Sequence, residues 1–289
     1  MRDPLGGAGS VEVVDPGALT TVQDLGRPGW AHLGVPRSGA LDEPALRLVN
    51  RLVGNPESAA ALETTLTGIT LKLGRATTLA VTGARCEVRV DDRAVGWGTP
   101  VSVSAGAVVR VGPATEGLRS YVGLAGGVEV APELGSRSTD LLSGLGPAPL
   151  QAGDRLALGE AGDPPYGTEA VARPTGGRLR VRLGPRADWF TAAALEALDG
   201  AAYAVAADSN RIGLRLNGPV ISRAVEDELP SEGMVLGAVQ VPPSGQPVVF
   251  LHDHPTTGGY PVVAVVVGED LPVCAQARPG DRLTLRVVD

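Results

Sequence analysis

Two segments of this 289-residue chain concentrate side chains that bind anions and move protons. The first, Thr21–Ser38, carries Gln23, Asp24, Arg27, His32, Arg37 and Ser38 among glycines and prolines, with no helical or strand period. The second, His252–Pro261, reads His-Asp-His-Pro-Thr-Thr-Gly-Gly-Tyr-Pro. Ordering a long irregular loop costs conformational entropy, and such loops inside compact domains usually serve function. The two are therefore expected to form opposite walls of one site. Arg27, Arg37, Arg137 and Arg211 are candidate anion clamps, because guanidinium stays charged and grips a carboxylate through two parallel hydrogen bonds. Ser38 and Gly39 favour Arg37 among them. His32, Glu63, Glu232 and Asp253 are the candidates for catalytic proton transfer. Thr257, Gly258, Gly259 and Tyr260 join the substrate-binding set, since backbone N–H groups beside paired glycines can cradle an oxyanion. Gln240 stands alone in an apolar strand, where a buried amide needs a partner and a ligand is one choice.

Each of these residues also has a plainer use. A loop arginine can brace backbone. Asp42, ahead of Glu43-Pro44, suits a helix N-cap better than a catalytic acid. Glu63 follows an apolar run; if buried it must be paired, with Arg51 or a backbone amide as natural partners. His252 and His254, at i and i+2, would share a face of an extended segment and could form a metal pair, but no third ligand stands at metal-site spacing, so no metal is expected.

Composition bounds the function. A net charge of −7 argues against a nucleic-acid surface, which needs a basic patch. No apolar run reaches 18 residues, and the first residues lack a signal peptide's apolar core, so a cytoplasmic protein without membrane partners is expected. Cys86 and Cys274 are isolated and read as buried, inert thiols. Lys72 is the only lysine, set in an alternating strand without a phosphate-loop pattern. There is no GxSxG elbow and no Met-Lys-Met biotin attachment site, so no covalently bound cofactor is expected. If ATP or biotin takes part, most of the apparatus belongs to another chain.

The elements that must position these groups are mostly strands. Val11–Val14, Ile69–Leu73, Thr77–Val81, Val101–Val103, Val108–Val111, Leu118–Val122, Leu179–Leu183, Val235–Val241, Val248–Leu251, Val262–Val267 and Leu283–Val288 are β-branched or alternating, with turn residues between them. Three helices are expected: one capped by Asp42 and stopped by Gly54, one over 187–198 stopped by Gly200, and a short one after Asp270. Ala152-Gly-Asp-Arg-Leu-Ala-Leu158 is echoed by Pro279-Gly-Asp-Arg-Leu-Thr-Leu285. The echo points to a mainly β chain of two related domains, 1–160 and 178–289, joined by a Gly/Pro-rich linker over 161–177.

Eight segments in order resemble the family of the 5-oxoprolinase C subunit, also described as biotin-dependent carboxyltransferase, allophanate hydrolase subunit 2 or KipI antagonist. They are Thr20–Gly29, Gly34–Asp42, Asn50–Asn55, Ala61–Glu63, Gly126-Gly127 with Gly135–Thr139, Asn210–Leu214, Ser231–Pro242 and Thr256–Pro261. The resemblance implies two cyclophilin-like β-barrel domains with a few short helices. It implies a KipI-like B subunit as partner, with an A subunit as third component, in a complex that opens 5-oxoproline to glutamate at the expense of ATP. One alternative it carries is transfer of a carboxyl group from carboxybiotin, supplied by another chain, to urea or a related small amide. Another is a non-catalytic antagonist that binds a KipI-like kinase inhibitor. His254-Pro255 departs from the pair common in this family.

Overall fold

The computed structural model describes residues 9–162 and 177–289, so most of the expected linker lies outside the described residues. The described residues fall into two compact units. Of the described residues, the first takes those up to Arg27, Asp42–Thr139 and 144–162. The second takes Pro28–Leu41, Asp140–Ser143 and the chain from Gly177 onward.

In the first unit a seven-stranded and a five-stranded sheet enclose one core. Strands Ser10–Asp15, Ile69–Leu73 and Val108–Val111 run side by side in the larger sheet. Their alternate residues Val11, Val13, Ile69, Leu71, Val109 and Val111 are buried, as a half-covered antiparallel sheet requires. The smaller sheet places Leu19–Gln23, Ala61–Thr65, Glu116–Leu124, Thr77–Arg85 and Val101–Val103 in that order. Thr21–Gln23 thus complete a strand, although they open the segment read from sequence as loop. Their pairing with Ala61–Glu63 supplies the order that local periodicity did not show.

Helix Glu43–Leu52 lies on the far side of the smaller sheet, capped by Asp42, whose carboxylate accepts the Ala45 N–H at 3.1 Å. Beneath it the sheet turns polar residues outward: Thr82 donates to the helix carbonyl of Ala45 at 2.7 Å. Tyr121 donates to Glu63 at 2.7 Å and accepts the Asp42 N–H at 2.8 Å. Arg119 stands 3.7 Å from Glu63. Burial, then the nearby Glu63 and Asp42 charges, push the Tyr121 hydroxyl well above its ordinary pKa, so it stays a donor. Glu63 is therefore met by Tyr121 and Arg119, while Arg51, one of the two partners offered for it from sequence, pairs with Glu57 at 2.7 Å.

The second unit is a closed barrel of seven strands: Arg178–Leu183, Val262–Val266, Ala238–Gln240, Val248–Phe250, Gly213–Asn217, Ala202–Val205 and Arg282–Val287. The last closes on the first through a parallel pairing. Leu179, Val181, Val239, Val249, Val263 and Leu285 fill its interior at zero exposure. The strand expected over Val235–Val241 shortens to Ala238–Gln240, because Gly237 takes a left-handed φ of 82° and Ala238 closes a turn on Val235. A 3-10 turn at Ala187–Trp189 precedes helix Ala192–Leu198, which Thr191 caps, so the single expected helix divides. Helix Leu271–Gln276 follows Asp270.

The sequence echo is one turn built twice. Asp154 accepts the Gln151 N–H at 2.7 Å, and Asp281 accepts the Arg278 N–H at 2.8 Å. Gly153 and Gly280 sit at φ 91° and 89°, and each sends its N–H to a strand carbonyl, of Val13 and of Val205. A side chain in that conformation costs about 1–2 kcal/mol. Gly280→Ala should therefore lower unfolding free energy by about that amount in urea titrations. Gly268→Ala, with ordinary φ and open space, should change it little; equal effects would refute this reading of the turn.

Both thiols are buried, and burial raises the pKa of each, that of Cys274 to about 12. The native chain should stay essentially unlabelled by a thiolate-specific reagent at pH 8 and release two equivalents on denaturation. Rapid native labelling of Cys274 would contradict this burial.

A buried carboxylate that gathers three loops

Strands Gly213–Asn217 and Val248–Phe250 are neighbours in the barrel, so the residues flanking them, Arg211 and His252–His254, emerge at one end. Backbone bonds fix the junction: Leu251 N–H to Ile212 O at 2.9 Å and Asp253 N–H to Arg211 O at 3.2 Å. The Arg211 Nε and Nη2 then reach Asp253 at 2.9 and 3.1 Å, a two-pronged ion pair with both side chains at 1% exposure or less. Ser38 Oγ donates to the same carboxylate at 2.9 Å, and the Leu141 N–H at 3.3 Å. Arg211 Nη2 also donates to Gly39 O at 2.6 Å. One carboxylate thereby ties together the segments around Ser38, Leu141 and Arg211. Four donors converge on the Asp253 carboxylate, which makes it the hub that these loops share.

Ser38 takes a left-handed φ of 50°, an uncommon conformation for a residue with a Cβ. Its N–H to His252 O bond at 2.9 Å and its Oγ bond to Asp253 compensate for that strain. The backbone of the adjacent Arg37 is fixed as a consequence.

His252-Asp253-His254 forms a turn, closed by the His254 N–H on Leu251 O at 3.0 Å. The extended geometry that would have put both imidazoles on one face is absent here. His254 Nδ1 lies 2.7 Å from Pro255 O, and its ring stacks on Phe250 at 6.0 Å and 18°. Burial is the main cause that lowers its pKa below 6.5, and the Arg37 charge acts in the same direction; the Pro255 bond and Asp253 oppose them.

The other glycine-rich contacts form a separate cluster in this unit. Glu232–Gly233 pairs with Thr257–Gly258. Glu232 is engaged by Arg186 through two hydrogen bonds, which hold its carboxyl below its ordinary range. Gly258 faces its own chain: a Cβ there would stand 2.7 Å from Gln240 Nε2. That amide donates to Tyr260 O at 3.1 Å, so the lone glutamine finds its partner within the chain. The Tyr260 ring is exposed, with the Arg223 guanidinium 5.8 Å from its centroid. Thr257 is exposed and Gly259 half-buried beside them.

Arg27 and Arg137 belong to the first unit. Arg27 is 1% exposed and donates to the carbonyls of Glu133 and Ser138, which makes it a brace. Arg137 pairs with Glu129 at 3.0 Å. Asp24 collects Ser136 Oγ, Ser138 Oγ and the Arg137 and Gly26 N–H groups. His32 lies exposed on a 3-10 turn, its Nδ1 3.1 Å from Gly29 O. Sequence reasoning passed over His254 as a proton-handling candidate, although it stands inside the second motif. Arg186 and Arg223 carried no signal, because their partners come from remote strands. Among the described residues no group of three or more His, Cys, Asp or Glu is placed to hold a metal ion, and no helix is long and apolar enough to cross a membrane.

The carboxyltransferase domain family, subdomains A and B, matches residues 33–287. The chain is 40% identical to the C subunit of Escherichia coli 5-oxoprolinase over 270 residues, covering 92% of this chain and 87% of that protein. Among solved structures, it superposes on the protein designated TTHA0988 with a TM-score of 0.87 at 38% identity, covering all of this chain and 56% of that one, so it spans about half of that protein. It superposes on the K. lactis urea amidolyase with a TM-score of 0.91 at 31% identity, covering 98% of this chain and 19% of that enzyme.

Removing one partner from a buried ion pair costs about 3–5 kcal/mol. Asp253→Asn is expected to lower unfolding free energy by that order, and Arg211→Met combined with Asp253→Leu to lower it less. A loss under about 1 kcal/mol for Asp253→Asn, by chemical denaturation, would show that the knot is not what holds these loops.

Proposed function

The chain belongs to the carboxyltransferase domain family, subdomains A and B, and from that premise we propose that it works as the C subunit of an ATP-driven 5-oxoprolinase. The observation that carries this reading is the 40% identity to the E. coli 5-oxoprolinase C subunit across nearly the full length of both chains. In this reading 5-oxoproline and ATP are substrates of a complex with a KipI-like B subunit and an A subunit. Opening the lactam breaks the C–N bond, forms a C–O bond to water's oxygen and leaves a proton on the nitrogen. The chain's own contribution is a site for a small anionic amide, with Arg37, set by the knot at Ser38, as the clamp for the carboxylate.

A second reading, transfer of a carboxyl group from carboxybiotin to urea or a related amide, is favoured by the close superposition on urea amidolyase. Biotin would arrive on another chain.

Both are tested on the reconstituted complex. The three subunits together should release glutamate from 5-oxoproline only when ATP is supplied. Incorporation of labelled bicarbonate into urea, with no glutamate formed, would select the second reading; a stable complex silent in both assays would refute both. Arg37→Ala should raise KM for 5-oxoproline roughly ten- to a hundredfold, as loss of a charged hydrogen bond predicts.

A further inference from the structure

His254 is a buried histidine whose surroundings define what each ring nitrogen does. Pro255 O can only accept, so the 2.7 Å contact places the proton on Nδ1. In the neutral ring Nε2 then carries a lone pair. Among the described residues no group of this chain hydrogen-bonds Nε2, and the residue keeps 6% of its surface. The stack on Phe250 and the Pro255 contact together fix the ring plane. Arg37 is near enough for its charge to act on the imidazole, and its backbone is fixed through Ser38 by Asp253. The Ser38 N–H to His252 O and Ser38 Oγ to Asp253 bonds thus tie the segment that carries this cation to the turn that carries the oriented acceptor.

We propose that His254 and Arg37 form a recognition pair for a small amide that carries negative charge: Nε2 accepts a hydrogen bond from the amide N–H, and the guanidinium donates to the anionic oxygen. The choice of 5-oxoproline as probe rests on the function proposed above, but the N–H feature is shared by lactams and ureas.

The pair has a pH signature. Arg37 and Asp253 are the charged groups that bear on the ring, in opposite directions, and burial tips the balance toward the neutral form. The folded-state pKa lies below 6.5, so Nε2 is an acceptor at neutral pH and ceases to be one as pH falls through that lowered value. Binding that depends on Nε2 should be level above about pH 6.5 and weaken on the acid side.

The decisive variant is His254→Asn, whose amide N–H can keep the Pro255 contact while Nε2 is lost. In the three-subunit complex it should raise KM for 5-oxoproline about three- to tenfold, the worth of one neutral hydrogen bond. An analogue with ring oxygen in place of N–H should inhibit wild type more weakly than 5-oxoproline binds, yet bind the variant and wild type alike. The acid-side rise in KM should vanish in the variant. Wild-type KM in His254→Asn, or discrimination between N–H and O that persists in it, would overturn the pair while leaving the proposed function standing. If the wild-type complex does not consume 5-oxoproline, that function falls. The pair is then read from ¹⁵N-histidine spectra of the same complex. An Nδ1-protonated His254 whose Nε2 resonance shifts on adding 5-oxoproline or urea sustains it; an Nε2-protonated ring, or no shift with either probe, overturns it.

Discussion

The second unit depends on one buried electrostatic contact, the two-pronged pairing of Arg211 with Asp253. Neither ion would be tolerable alone at that depth, since desolvating a single charge costs several kcal/mol. Together they are satisfied only because Ser38, Leu141 and Gly39 provide the remaining donors and acceptor. The ion pair and the loop conformations therefore require each other. Moving any of the three segments leaves a charge short of a partner, and this is how a site on irregular backbone obtains the precision that a regular scaffold supplies elsewhere.

The first unit uses the same device independently. Asp24 gathers two serine hydroxyls and two backbone N–H groups from its own turn and the Ser136–Ser138 segment, while Arg27 draws in the carbonyls of Glu133 and Ser138. In each unit a carboxylate collects donors and a guanidinium collects a carbonyl, so opposite polarities of loop backbone are both met. Arg27 and Arg211, alike in sequence as motif arginines, differ from an exposed ligand clamp in the same way: burial commits their hydrogen bonds to the protein itself.

Most of the strand framework was legible because it rests on local alternation. Ile69–Leu73, Val101–Val103 and Val108–Val111 emerge with the expected boundaries. Leu19–Gln23 and Ala61–Thr65 were illegible for a physical reason: polar Thr20, Thr21, Gln23, Glu63 and Thr64 are themselves buried, so hydrophobic alternation is muted. The Asp42 cap and the repeated Gly-Asp turn were readable because their partners lie three residues away. The partners of Glu63, Glu232 and Gln240 were not, because each lies on another strand or a remote turn and only the tertiary fold brings it close. Gly258 shows the same limit. A glycine read as room for a ligand is room for the chain's own glutamine.

These constraints separate holding from binding. Asp253, Arg211 and Ser38 bond to one another and to backbone, and those bonds fix the loops. His254 is held through one nitrogen and one ring face, which leaves the other nitrogen for the recognition proposed above. An imidazole held neutral by burial and by the charge of Arg37 is suited to reading N–H donors, because a cation that would attract an anionic amide also keeps the acceptor unprotonated. Charge attraction alone would admit any small carboxylate. An acceptor of fixed direction beside it demands an N–H as well, and that added demand narrows a general anion site toward amides.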